Sequence, residues 1–321
     1  LINITTPTIT GAGVNGNEVT LFKDADNDGK LDEGESLGTA TVVDGTWSIT
    51  TSNLTEGVNN LRARQTTSLG GVSAASAVLA VTVDTTVAVP TDLDLLTTSD
   101  SGLSTSDNIT SDTTPTITGK AEVGASVSLY AGETELGTAI ANSTGVWSIT
   151  STELADGDYA LTAIQTDKAG NVSVASEALS VTIDTAKPDA PLGLDLVSAS
   201  DTGFFDNDDI TADTTPTITG TAEAGALVKL YRGTTLLGSA PADENGDWEI
   251  TSSALAAGVH SLTATQTDKA GNVSVASDAL SVTIDTTKPD APVGLDLVSA
   301  SDTGFFDDDD ITADTTPTIT G

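Results

Sequence analysis

The hexapeptide Thr-Pro-Thr-Ile-Thr-Gly occurs four times, at Thr6–Gly11, Thr114–Gly119, Thr215–Gly220 and Thr316–Gly321. Its prolines, Pro7, Pro115, Pro216 and Pro317, stand 108, 101 and 101 residues apart. The three tryptophans, Trp47, Trp147 and Trp248, keep nearly the same step. A period near ~100 is too long for solenoid units of ~20–50 residues, each of which needs a neighbour to complete its core. It is the size of one self-sufficient domain. The chain therefore reads as a row of similar domains with a further one begun at residue 289: 1–86, 87–187, 188–288 and 289–321, the last being a junction and the first strand of a truncated repeat.

Inside each repeat the apolar residues alternate. Leu227–Arg232, His260–Gln266 and Ala279–Asp285 show it in the third repeat, as do Trp248–Thr251 and Thr217–Thr219. Period two predicts half-buried antiparallel strands. Gly, Asn, Asp and Pro punctuate them, at Glu223–Gly225, Asp243–Gly246, Ala256–Gly258 and Lys269–Asn272. No helical periodicity lasts beyond two turns. About seven short strands per repeat predict an all-β chain of immunoglobulin-type Greek-key sandwiches. There is no cysteine, so each core rests on Val, Ile, Leu and its single Trp. Lys187–Gly220 and Lys288–Gly321 differ only at Leu192 against Val293 and Asn207 against Asp308. Near-identical tandem units argue against an enzyme, which needs one particular cleft.

Charge narrows the partners. With 47 acids against 11 bases the net charge is −36, which repels a phosphate backbone and excludes nucleic acid. No stretch is apolar enough for membrane insertion in this segment. The absence of Met points to a piece of something longer. The acidic, Thr-rich, cysteine-free composition accompanies bacterial surface and secreted proteins.

The sharpest motif is Asp24–Glu35. It matches the twelve-residue EF-hand calcium loop: Asp24, Asp26, Asp28 and Asp32 at positions one, three, five and nine, Gly29 at the sharp turn, Lys30 offering its backbone carbonyl, and Glu35 closing with two oxygens. Calcium (Ca2+) takes six to eight hard oxygens in a flexible cage, and alternate carboxylates on a looping chain supply them. Val19–Phe22 and Leu37–Val42 read as strands, so the loop is an insertion in a hairpin. The bland alternative is a solvated acidic turn.

Aspartates also crowd the segments between repeats. Five positions recur: Asp84, Asp184 and Asp285; Asp94, Asp195 and Asp296; Asp100, Asp201 and Asp302; Asp107, Asp208 and Asp309; Asp112, Asp213 and Asp314. Asp206, Asp209 and Asp307 add to them, and Asp167 and Asp268 sit in a turn near a strand end. Uncompensated, such charges repel one another. The functional reading is calcium between neighbouring repeats of the same chain. The bland one is turn formation, at which Asp excels. Thr67 stands where Asp167 and Asp268 do, and Thr105 and Asn108 replace Asp206 and Asp209, so the junction after the first repeat should hold fewer ions.

At Gln165–Asn171, Ile183–Thr185 and Thr214–Gly220 the chain resembles the bacterial immunoglobulin-like repeats of giant RTX-type, type I-secreted surface adhesins. The resemblance covers essentially the whole chain and is weakest in the first repeat, which has Thr66–Gly71 at that turn. It implies an extender of an adhesion and biofilm protein at the cell surface, stiffened by calcium, with a terminal domain making the attachment.

The remaining signals are structural. The tryptophans read as core. Tyr159 after Gly157, and His260 after Gly258, read as a corner. Phe204-Phe205 and Phe305-Phe306 should pack against a domain end and anchor the loop, the alternative being an exposed partner site. Two rival readings stand beside the extender: a module gripping glycan or protein, and a filament subunit donating the unpartnered strand 314–321 to another chain.

Overall fold

The computed structural model describes every residue except Asp206, Asp307 and Asp308. The described residues form strands and no helix. They divide into two compact units, residues 1–189 with 267–274, and residues 190–266 with 275–321.

The second repeat, in the first unit, shows the architecture most fully. One sheet runs Thr134–Ile140, Ser126–Ala131, Gly157–Thr166, Leu179–Ile183 and Ile109–Thr110, the last pair parallel. The other runs Val146–Thr150, Thr116–Lys120 and Thr91–Leu95. Ser126–Ala131 with Thr134–Ile140, and Gly157–Thr166 with Leu179–Ile183, pair within one sheet, and the chain crosses to the other sheet between and before them, an immunoglobulin-like arrangement. Burial alternates as the sequence predicts: Val146–Thr150 buries Trp147 and Ile149 and exposes its other three residues. Between the sheets lie Leu95, Ile117, Val127, Leu129, Leu161, Val181 and Ile183.

This packing explains the repeated hexapeptide. In Thr116–Lys120 the outward threonine Thr116 meets Thr150 across the ladder, hydroxyl to hydroxyl at 2.8 Å. The inward Ile117 is fully buried. Gly119 lies under the Trp147 ring, where a Cβ would come within 2.5 Å of it. Only glycine lets the strand pass there.

The third repeat, in the second unit, repeats the plan, with Leu192–Leu196, Thr217–Thr221 and Asp247–Thr251 in its three-stranded sheet. The first repeat has a four-stranded sheet, Ser36–Thr41, Glu18–Lys23, Gly57–Thr66 and Leu79–Val83, facing Thr8–Ala12 and Thr46–Thr50.

Two expectations are corrected. The acidic segments are not strings between domains. Thr91–Leu95 and Ile109–Thr110 are strands of the second repeat itself, and only 96–108 loops out between them. Leu95 is 2% exposed and Leu93 packs against the core, so apolar burial draws the segment into the sandwich. Nor is the final strand unpartnered, since Ile319–Thr320 pairs antiparallel with Asp296–Leu297.

Candidate metal centre

In the first repeat twelve residues, 24–35, join Glu18–Lys23 to Ser36–Thr41, where the second repeat needs only 132–133 between Ser126–Ala131 and Thr134–Ile140. The insertion is pinned at its base: Lys23 N–H donates to the Glu35 carbonyl and Asp24 N–H to that of Asn60, both at 2.9 Å. Asn27 and Gly29 take left-handed conformations, φ 60° and 76°, at the bends of the loop. Carboxylate oxygens of Asp24, Asp26 and Asp28 lie within 4.8 Å of one another, as do those of Asp26, Asp32 and Glu35. Asp26 belongs to both groups, so five of the six acids of the motif fall into two groups that share a member.

The loop's hydrogen bonds hold that arrangement. Glu35 accepts Ala25 N–H at 2.9 Å on one oxygen and Asp32 N–H at 3.0 Å on the other. Gly29 N–H donates to Asp24 at 3.3 Å. Lys30, expected to act through its carbonyl, ties its ammonium to Asp28 at 2.8 Å, and this bond holds the Asp28 carboxyl below its usual range. Sequence reading missed Arg62. Its Nε meets the buried Asp24 carboxylate at 2.5 Å, and its Nη1 donates to the Ser76 carbonyl at 2.7 Å. The signal was present: Thr162 and Thr263 occupy that strand position in the repeats without an insertion. A donor set of carboxylate oxygens suits a hard cation of the calcium kind.

The other aspartates separate into two kinds. Asp100 is 1% exposed, and neither carboxylate oxygen has a hydrogen-bond partner. The Asn108 and Asp107 N–H groups approach without reaching bonding geometry. Burial, then the charges of Asp107 and Asp94, push its pKa up. In the second unit Asp209, raised by burial and by Asp195, Asp201 and Asp208, repeats the pattern, and one oxygen each of Asp201 and Asp209 is buried without a partner. Asp302, near the terminal strand pair that includes Asp296, likewise has one such oxygen.

The second kind builds turns. Asp84, Asp184 and Asp285 accept the N–H two residues on, at 3.4, 3.0 and 2.9 Å. Asp112, Asp213 and Asp314 do the same at 2.9, 2.8 and 2.9 Å. Asp107, Asp208 and Asp309 accept from Ile109, Ile210 and Ile311, each at 3.2 Å. Asp206 and Asp307 lie outside the described residues.

Asp167 and Asp268, expected as candidate ligands near the acidic loops, place their carboxylates on groups of their own turns. One Asp167 oxygen accepts the Ala169, Gly170 and Asn171 N–H groups at 2.7–2.8 Å, and the other accepts the Asn171 amide at 2.7 Å. Hydrogen bonds from Asn171, Ala169 and Gly170 outweigh desolvation and lower its pKa. Asp268 similarly takes the Asn272 N–H and side-chain amide at 2.8 and 2.9 Å. The turn is a reader of the chain before it. Asn171 donates to the Asp84 carbonyl at 2.7 Å, and Asn272 to that of Asp184 at 2.8 Å. The acids grouped in sequence as the junction after the first repeat therefore part company. Asp84 meets the Asp167 turn, whereas the loop after Asp94 meets Lys269, whose carbonyl accepts Leu103 N–H at 3.1 Å. Thr67 builds the same turn in the first repeat with its hydroxyl, accepting Gly71 N–H at 3.0 Å.

The structural residues behave as expected, with one exception. Trp147 and Trp248 are buried, and Trp47 nearly so. Tyr159 donates to the Ala155 carbonyl at 2.9 Å, and His260 pairs with that of Ala256 at 2.7 Å. Phe204 and Phe305, however, are 93% and 92% exposed; each contacts its neighbouring Phe edge-to-face instead of a domain end.

No helix among the described residues is long and apolar enough to cross a membrane. Exoglucanase B of Cellulomonas fimi is 34% identical over 173 residues, 51% of this chain and 15% of that protein. The chain thus spans a small part of that relative. A solved structure from a 1.5-MDa bacterial ice-binding adhesin aligns over 87% of this chain and 90% of its own, at 20% identity and a TM-score of 0.36. The BSP domain of a biofilm-associated protein aligns over 87% of this chain and 62% of its own, at 17% identity and a TM-score of 0.23. A family model described as a bacterial Ig-like domain matches residues 1–85, 86–185 and 189–286. With three successive matches over most of its length, the chain belongs to the bacterial Ig-like domain family.

Proposed function

We propose that this chain is a non-enzymatic spacer of an extracellular, cell-surface adhesion protein, and that calcium stiffens it. The observation that carries the reading is Asp100: a carboxylate buried without a partner, among Asp94 and Asp107, on a loop that touches the Lys269 turn. A buried charge must be paired, coordinated or neutralised. Calcium would coordinate it and tie the loop down beside the turn it contacts.

The Asp24–Glu35 loop supplies a second, local site that braces the first repeat. Extracellular calcium modules bind with Kd of ~10⁻⁴–10⁻³ M, so such sites stay empty in a cell and fill outside it. That suits export of a slack chain, by a type I route, and folding after it. Adhesion and biofilm formation are the processes a spacer of this kind serves.

Calorimetric titration of the whole chain with calcium tests the reading. Glu35→Gln should weaken one site about tenfold and leave the others unchanged. Identical stoichiometry and affinities in both proteins would remove the loop from the account.

A further inference from the structure

Strand Gly57–Thr66 of the first repeat buries Leu61 in the core and turns Asn60 and Arg62, two residues apart, to its other face. Both reach the inserted loop. The Asn60 amide donates to the Asn27 side chain at 3.0 Å. Arg62 donates through Nε to Asp24 and through Nη1 to the Ser76 carbonyl, at 2.5 and 2.7 Å. The repeats without an insertion carry Ala160 and Thr162, and Ser261 and Thr263, at these positions.

Two basic side chains meet the acids of the loop, and they are anchored differently. The Lys30 side chain, paired with Asp28, is 77% exposed, so that contact is weak and easily broken. The Arg62 side chain is 21% exposed, and the Asp24 carboxylate it meets is fully buried. Its far end is fixed as well. Ser76 accepts the guanidinium on its carbonyl while its own N–H and hydroxyl are bonded to the Ala63 carbonyl and N–H, at 2.8 and 3.0 Å. Lys30 can swing away when a metal enters the loop. Arg62 is held in place.

We infer, on the reading of Asp24–Glu35 as a calcium site, that Arg62 is the internal counter-ion of the loop and sets its affinity. In the empty loop the guanidinium neutralises Asp24, whose carboxylate lies within 4.8 Å of those of Asp26 and Asp28 and would otherwise be a buried, uncompensated charge. When a divalent cation is held by the same acids, the charge of the guanidinium opposes it. One unit charge acting on a divalent ion across ~6 Å changes affinity about tenfold even at the permittivity of water. Arg62 therefore lets the first repeat fold with its loop empty, and it keeps the affinity low enough that the loop fills only at extracellular calcium.

Arg62→Met keeps the length of the side chain and removes its charge, and its two effects should have opposite signs. In chelator, thermal unfolding of the whole chain should show the midpoint of the first repeat lowered by about 5 °C or more. In calorimetric titration, the site that Glu35→Gln weakens should bind calcium about tenfold more tightly in Arg62→Met than in wild type. Calcium should accordingly raise the midpoint of the variant by more than it raises that of wild type. Arg62→Lys, which keeps the charge, should stay within about twofold of the wild-type affinity. Lost packing alone would lower the midpoint equally with and without calcium and would not tighten the site. An Arg62→Met site no tighter than wild type, or an Arg62→Lys site as tight as that of Arg62→Met, would overturn the proposal while leaving the loop a calcium site. A Glu35→Gln protein that titrates like wild type would remove the site itself, and the proposal with it.

Discussion

Asp100 and Asp167 belong to the same repeat, are both largely buried, and sit in acidic or polar loops, yet they face opposite electrostatic situations. Asp167 receives four hydrogen bonds within its own turn, and its pKa is lowered. Asp100 receives none, and its pKa is raised. Partner count, not the number of nearby acids, separates a turn former from a candidate ligand. The charge of Asp167 is already used inside the protein, whereas that of Asp100 calls for something the protein does not supply.

The largest effect should come from Asp167→Ala. Loss of the turn and of the Asn171 grip on Asp84 should cost about 2–3 kcal/mol, with or without calcium. Thermal unfolding should show a midpoint lowered by about 10 °C or more for the affected repeat. An unchanged midpoint would mean that the turn forms without its carboxylate. Asp100→Asn should act with the opposite sign. Removing an unpaired buried charge should raise the midpoint by about 2–4 °C in chelator. Part of the gain that calcium gives wild type, ~1.4 kcal/mol per site at ten times Kd, should then be lost. Destabilisation in chelator would place Asp100 with the turn formers.

A smaller effect is the response to acid. A raised folded pKa means that ionised Asp100 and Asp209 cost stability above the unfolded value of 3.8, and the cost is relieved as pH falls through their folded values. Asp167 has a lowered folded pKa, so its contribution is intact above 3.8 and is lost only as pH falls through that lower value. In chelator, carboxyl NMR should therefore find Asp100 titrating above Asp167. Calcium should drop the Asp100 midpoint and leave Asp167 in place. The reverse order would undo the distinction between the two loops.

The strands were legible because period two is local, as His260–Gln266 shows. The Asp24–Glu35 loop was legible for the same reason: its acids lie within twelve residues. Other features depend on distant pairings. Asp94 faces Thr118 across 24 residues of chain, so the acidic segment looked like a linker until its leucines were seen inside the sandwich. Burial separates Asp100 from turn formers such as Asp112, and no local pattern carries it. Arg62 was visible only by comparison with Thr162 and Thr263 once strand Gly57–Thr66 was aligned with its sisters. The phenylalanine pairs misled because two adjacent rings can shelter one another while remaining in water.

Small-angle scattering of one preparation, first in chelator and then in millimolar calcium, tests the stiffening itself. Calcium should raise the radius of gyration or narrow its distribution while far-ultraviolet circular dichroism hardly changes, because the cores are built from apolar alternation independent of the aspartates. Superposable scattering curves would contradict the account and leave these carboxylates as solvating charge.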